Sequence, residues 1–175
     1  MNVVNKVGSC LLITAVFACC SAASAPAETP EEWVKLGARV HGAFGSFIPV
    51  GIRIGLDALA RLNAEPRGVT VAYTSGAKAP CPCPADGIAI ATMASAGQGT
   101  LQVAPEKAPE DVMGIAVIRS KATGAGFKYT IAASWIPKLI AMNKEYDPMG
   151  RYDAVMNAAD LFTVEPLPAA NSAAK

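Results

Sequence analysis

The most informative part of the chain is Lys78-Ala79-Pro80-Cys81-Pro82-Cys83-Pro84-Ala85-Asp86-Gly87-Ile88, a proline-rich segment with two cysteines that leads into an apolar run. Proline is favoured at the first position of a helix, so the pattern predicts a helix that begins here with Cys83 as its N-cap. Unpaired backbone amides and the positive end of the helix dipole collect at that position. Such surroundings lower the pKa of a thiol and favour the thiolate, which binds metals and acts as a nucleophile.

Cys81 and Cys83 have more than one chemical interpretation. Thiolates are preferred ligands of zinc and of other soft or borderline transition-metal ions, so the pair is a candidate metal site. A Cys-x-Cys disulfide closes a very small ring and tends to be easily reduced. The two residues are therefore expected to be free, metal-bound or redox-active, and their spacing alone does not choose among these states.

The N-terminus has the pattern of an export signal. Lys6 precedes an apolar run from Val7 to Cys20, and Ala25-Pro26-Ala27 has the small residues that signal peptidase prefers. The run is shorter than the ~20 residues that span a bilayer. We therefore predict a cleaved signal peptide over 1–27 and a periplasmic location. An uncleaved anchor and a lipoprotein attached through Cys19 are the alternatives.

The rest of the chain is long enough for one domain with its own core. Its charges balance, because Lys6 is the only charged residue before Glu28 and the sequence has 15 basic and 14 acidic residues. No basic stripe occurs, so nucleic acid is not an expected partner. No later segment is apolar enough to span a membrane. We predict a single domain over 28–167 and a disordered, alanine-rich tail over 168–175.

The order of the predicted elements indicates an α+β fold. Thr29-Pro30-Glu31-Glu32 is typical of a helix start, and a second helix opens at Pro49 with an apolar stripe. A strand from Val69 and the helix of the cysteine segment follow. The later strand candidates are Thr100–Ala104, Met113–Ser120 and Phe127–Ala132. Two helices come last, so we expect helix-strand-helix, then a three-strand meander, in a mixed sheet with helices packed on it.

Two motifs occur in a fixed order along the chain. His41-Gly42 is followed, ten residues after the histidine, by Gly51-Ile52-Arg53. Downstream, Cys83-Pro84-Ala85-Asp86-Gly87-Ile88 is followed by Thr92 and then by Gly97-Gln98-Gly99-Thr100-Leu101. In this order and spacing they resemble the FmdE family, which is named after a component of formylmethanofuran dehydrogenase. The resemblance extends over most of the predicted domain and implies the α+β fold of that family.

The resemblance also implies a site, because it places the His41 and Cys83 segments in one pocket. It predicts His41 as a metal ligand together with Cys83, with Cys81 as an additional thiol outside the family pattern, or His41 as a general base for a Cys83 nucleophile. The alternative for His41 is an interaction with the carbonyl end of its own helix. The further ligand-binding candidates are Arg53, Asp86, Thr92, Gly97 and Gly99.

The roles expected of these further candidates follow from their chemistry. Arg53 could bind an anionic group, or be an ordinary solvated arginine. Asp86 could orient His41, or neutralise the positive end of its helix. Many family members have further candidate ligands where this chain has Ala43, Gly45 and Ala94.

The sequence thus supports three functional hypotheses. The first is an exported domain that binds a metal ion, or a metal-bearing or anionic small ligand, through His41 and Cys83. The second is a thiol-dependent enzyme or an oxidoreductase accessory subunit of one-carbon metabolism, and the third is an accessory domain that has lost its chemistry. A homodimer is a further expectation drawn from the family. The sequence has no cofactor fingerprint and no cysteine set for an iron–sulfur cluster.

Overall fold

The computed structural model describes residues 28–169. The predicted signal peptide and most of the predicted tail lie outside this range. The described elements, in chain order, are α1 (Pro30–His41), α2 (Phe47–Leu62), β1 (Val69–Ser75), α3 (Cys83–Thr92), β2 (Leu101–Val103), β3 (Val112–Ser120), β4 (Gly126–Ala132), α4 (Trp135–Glu145), α5 (Pro148–Met156) and β5 (Thr163–Leu167).

The strands form one mixed sheet in the order β2-β1-β3-β4-β5. The predicted α+β fold with a mixed sheet is therefore confirmed, including the β3–β4 hairpin. The predicted meander is wrong in one respect, because β2 pairs with β1 in parallel and not with β3. The reason is that α3 carries the chain back along β1, and a crossover of this kind returns the next strand in the same direction.

The sequence patterns did not predict β5, which lies at one edge of the sheet and pairs only with β4 among the described strands. It contains Pro166, which cannot donate a hydrogen bond to a neighbouring strand. Proline normally counts against a strand, but an edge strand needs backbone hydrogen bonds on one side only. Its position at the edge therefore explains why β5 tolerates Pro166 and why the sequence pattern for a strand is weak there.

The capping residues of α1 determine where His41 lies. The backbone amide of Thr29 donates to Glu32 at 2.7 Å, and the Thr29 hydroxyl accepts from the Glu32 amide at 3.3 Å, so the predicted helix start is confirmed. The helix ends at Gly42, whose φ of 90° lies in the left-handed region that glycine tolerates best. His41 is thus the last residue of α1, next to a sharp turn.

Helices α2 and α3 pack so closely that two glycines are required where they meet. A methyl group at Gly51 would collide with the carbonyl oxygen of Pro84, and one at Gly87 would collide with the carbonyl oxygen of Ile48. These contacts hold the first turn of α3 against the first half of α2. Buried side chains of β1 and β3, including Tyr73 and Ile118, belong to the same core.

Within residues 28–169, none of the helices combines the length and apolar character that a membrane crossing requires.

Candidate functional site

A cavity of about 300 Å³ lies where the end of α1, the start of α2, the cysteine segment and α4 meet. Its walls are mainly apolar, with Phe47, Ile48 and Ile140 among the lining residues. His41 and Cys83 both line it, so the two segments meet around one concave space. The polar groups of the lining are therefore few and are contributed by separate elements.

His41 is held by a carboxylate. Its Nδ1 lies 2.7 Å from Oδ2 of Asp86, and the two side chains are 29% and 43% exposed. An ionised carboxylate only accepts hydrogen bonds, so Nδ1 carries the proton and donates it. In the neutral imidazole, the Nε2 atom then has the lone pair, which can accept a proton or bind a metal ion. The contact also ties the end of α1 to α3.

Cys81 and Cys83 are joined by a disulfide. Cys83 is the first residue of α3 and is 9% exposed, whereas Cys81 lies in the preceding loop and is half-buried. The predicted N-cap is therefore wrong, because Pro82 occupies that position and Asp86 becomes the fourth helical residue instead of the third. The backbone of Pro82 (φ −79°, ψ 23°) is not helical, but its carbonyl oxygen accepts from the Ala85 amide at 2.8 Å, so the helix begins at Cys83, one residue earlier than expected.

The donor set fits a transition-metal ion only after reduction of the disulfide. Within residues 28–169, no three His, Cys, Asp or Glu side chains have a metal-binding arrangement as they stand. The bond between Cys81 and Cys83 removes both thiolates, and thiolates are the form in which cysteine binds metals. His41, by contrast, already has the carboxylate partner that metal-binding histidines usually have.

Arg53 lies outside this cavity lining and is occupied elsewhere. Its Nη1 donates to the carbonyl oxygens of Val155 and Ala158, at 2.9 and 2.7 Å. The guanidinium also lies 5.5 Å from the centre of the Phe162 ring. These contacts hold the end of α5 against α2, so the side chain has an architectural role in the described structure.

Three other predicted positions also lie apart from the cavity. Thr92 is fully buried, and its hydroxyl donates to the carbonyl oxygen of Ile88 at 2.7 Å. Gly97 and Gly99 belong to the turn between α3 and β2, and neither lines the His41 cavity. Gln98, between them, lines a separate open groove of about 430 Å³ together with Val40 and Met93.

Asn143 of α4 is a cavity residue that the sequence patterns did not identify. It lines the same space as His41, and its Oδ1 accepts a hydrogen bond from the Ser46 amide at 2.7 Å. The two residues of this hydrogen bond are 97 positions apart in the chain. No spacing or motif connects them, so only the folded arrangement could bring Asn143 to the site.

A family model for FmdE, described as "Molybdenum formylmethanofuran dehydrogenase operon", matches residues 40–159. The match covers more than half of the chain and includes both the His41 segment and the cysteine segment. The chain belongs to the FmdE family, and the resemblance drawn from the two motifs is confirmed. A search among curated proteins finds no match.

Proposed function

We propose that this FmdE-family protein is exported and that its cavity binds one thiophilic transition-metal ion once Cys81 and Cys83 are reduced. Cys83 and His41 are the main ligands in this proposal, and Cys81 is the third. Zinc is the ion of choice for a test, because it accepts mixed thiolate and imidazole ligands in tetrahedral geometry. Three protein ligands leave the fourth position open for water or a small ligand.

The observation that carries this proposal is the contact of 2.7 Å between His41 Nδ1 and Asp86 in a cavity that Cys83 also lines. A metal-binding histidine almost always donates its second ring N–H to a carboxylate, a carbonyl or water. That contact selects the tautomer and holds the ring in one orientation. The histidine is thus held in a defined orientation in the cavity that both cysteines also line.

The walls of the cavity suit a ligand-binding role. Phe47, Ile48 and Ile140 present apolar surface around the His41 and cysteine groups. Apolar surroundings exclude water and strengthen electrostatic interactions between an ion and its ligands. An open coordination position in such a space favours the capture of a small ligand over a purely structural ion.

Metal content of the reduced protein tests the proposal. We use the full chain with Cys10, Cys19 and Cys20 replaced by serine, so that Cys81 and Cys83 are its only thiols. After dialysis against zinc without oxygen, mass spectrometry is expected to find one zinc per chain. Cys83→Ser is expected to abolish binding, and His41→Ala to weaken it by about 100-fold or more.

Lys78→Ala is the matched control for the zinc measurement, because Lys78 is the first residue of the cysteine segment and its ammonium forms an ion pair with Glu110 at 2.9 Å. This variant is expected to bind zinc as the parent does. Absence of zinc above the buffer level in the reduced parent chain contradicts the proposal. Undiminished binding in Cys83→Ser contradicts it as well.

Export has a separate test. Expression with the native N-terminus, followed by fractionation and N-terminal sequencing, is expected to give a periplasmic chain that begins at Glu28. A chain that keeps Met1 and stays in the cytoplasmic fraction contradicts this part of the proposal. It leaves the metal site unaffected.

The same contact also favours a second candidate, a thiol-dependent enzyme with Cys83 as nucleophile and His41 as base. In this candidate, Asp86 orients His41 through their hydrogen bond, as the carboxylate of a catalytic triad orients the histidine base. The pH dependence of Cys83 alkylation in a Cys81→Ser chain separates the candidates. A midpoint near the ordinary thiol pKa of ~8.5 contradicts a catalytic thiol and leaves metal binding untouched.

A further inference from the structure

We infer that the Cys81–Cys83 pair is a thiol–disulfide exchange site that opens and closes the metal site. In the disulfide form the site lacks both sulfur ligands, and a low-molecular-weight thiol restores them. This inference rests on the proposed function, since it concerns the regulation of that same site.

The geometry confines the change to the two cysteines. His41 and Asp86 are in contact at 2.7 Å while the disulfide is intact, so one of the three proposed ligands is already oriented. Cys83 belongs to the first turn of α3, and that turn packs against α2 through Gly51. Prolines on both sides of Cys83 restrict the backbone further. Reduction therefore releases two thiols in the cavity that His41 also lines, without a rearrangement of the helices.

The exposure of the two cysteines indicates which of the two sulfur atoms an incoming thiol attacks. Cys81 is half-buried in the loop, whereas Cys83 is 9% exposed. An incoming thiolate R–S⁻ therefore attacks Sγ of Cys81. A bond forms between that sulfur and R–S⁻, the bond to Cys83 breaks, and the electron pair leaves on Cys83 as a thiolate.

A second R–SH completes the reaction. As a thiolate it attacks the R sulfur of the mixed disulfide, releases R–S–S–R and leaves Cys81 reduced. In total two R–SH molecules are oxidised, and the cysteine pair gains two electrons and two protons. The reductant is thus a low-molecular-weight thiol such as glutathione, and the reverse reaction with R–S–S–R closes the site.

Cys83 is suited to be the leaving group. It is the first residue of α3, where the helix dipole contributes partial positive charge that stabilises a thiolate. The thiolate formed in this first step lies in the cavity that His41 lines, where the proposed metal ion binds.

The test compares zinc binding in the two redox states of the full chain in which Cys10, Cys19 and Cys20 are serine. One portion is reduced and the other is oxidised with ferricyanide, which forms no adduct, and each reagent is removed by gel filtration. The reduced portion is expected to bind one zinc per chain and the oxidised portion none. Treating the oxidised portion with glutathione is expected to restore binding.

Trapping the mixed-disulfide intermediate tests which of the two sulfur atoms is attacked. A short reaction with limiting glutathione, stopped with acid and followed by peptide mapping, is expected to place the mixed disulfide on Cys81. An adduct mainly on Cys83 overturns the assignment of the attacked sulfur. A disulfide that does not open at all overturns the exchange site.

Cys81→Ser is the matched variant, because it cannot form the disulfide and keeps Cys83 and His41. It is expected to bind zinc more weakly than the parent and equally in both portions. Loss of its zinc on oxidation overturns the switch. If the parent binds zinc equally in both states, the redox switch is contradicted but the proposed metal site is not. If the parent binds no zinc in either state, both the switch and the proposed function are contradicted.

Discussion

His41 and Arg53 belong to one motif, and the folded chain uses them in opposite ways. His41 has one ring nitrogen bonded to Asp86 and borders a cavity, which leaves Nε2 available. Arg53 donates to the carbonyl oxygens of Val155 and Ala158 at the end of α5 and lies over an aromatic ring. The motif identifies both positions. Whether a position serves chemistry or architecture depends on which of its polar atoms remain unbonded.

The largest effect is expected from Gly51→Ala. This substitution disrupts the packing of α2 against α3, which positions both the His41 region (the cavity) and the Arg53 region (the contact between α2 and α5). The added methyl group would collide with the backbone of α3, and backbone cannot move aside as a flexible side chain can. We expect the free energy of unfolding to fall by about 3 kcal/mol or more. Urea denaturation followed by circular dichroism measures the change.

Gly97→Ala is the control for this loss. No heavy atom lies within 4 Å of a methyl group at Gly97, so its free energy of unfolding should stay within about 0.5 kcal/mol of the parent value. Equal losses at the two glycines would show that the α2–α3 contact is not the cause.

Arg53→Ala is expected to have the next largest effect on stability and none on zinc binding. It removes a charge-assisted hydrogen bond from each of two backbone carbonyls at the end of α5, at a cost of about 2–3 kcal/mol. Arg61→Ala is the matched control, since Arg61 is 46% exposed and its ion pair with Asp57 contributes less than about 1 kcal/mol. Weaker zinc binding in the folded Arg53→Ala protein would show that Arg53 contributes to the metal site after all.

Asp86→Asn is expected to show the opposite pattern. The amide no longer provides the carboxylate that orients His41, so zinc affinity should fall by about 10- to 100-fold. Stability should change by less than about 1 kcal/mol, because the pair is partly exposed. Competition with a chromogenic zinc chelator measures the affinity.

Asp57→Asn is the control for the Asp86 variant, because the Asp57 carboxylate accepts from the Tyr129 hydroxyl at 2.7 Å in the other region. It is expected to lower stability and to leave zinc affinity unchanged. If Asp57→Asn weakened zinc binding and Asp86→Asn only lowered stability, the assignment of the metal site to the His41 region would be contradicted.

The smallest effect is expected from Lys78→Ala. Hydrogen bonding and charge from Lys78 lower the pKa of Glu110, so the ion pair stabilises the fold above the ordinary carboxyl pKa. That contribution is lost as the pH falls through the lowered value. The variant should raise the pKa of Glu110 in an NMR titration, without changing zinc affinity or disulfide exchange. A change in either would extend the site to Lys78.

Local patterns were sufficient for most of the elements. The Thr29-Pro30-Glu31-Glu32 start, the β3–β4 hairpin and the helix after the cysteines follow from capping, turn and proline preferences that act over a few residues. The pairing of β2 with β1 and the existence of β5 were not predicted. Both depend on partners elsewhere in the sheet, which short-range preferences do not specify.

The site divides in the same way. His41, Cys83 and Asp86 could be singled out because their residue types and spacing match a family pattern. Asn143 could not, since it reaches the cavity from α4, and Arg53 was given an anion-binding role that its carbonyl partners already occupy. A motif records the order of residues along the chain, but not the hydrogen bonds that each side chain has already made.

The sequence by itself determined the α+β class, the family and the two segments that carry reactive groups, because these depend on residue type and local spacing. Only the tertiary structure decided that the sulfurs bond to each other, that Asp86 holds His41, and that Arg53 supports α5. Each of these is a contact between side chains and partners whose distances are set by packing of the whole core. Polar atoms that the packing leaves unsatisfied are the ones available for binding.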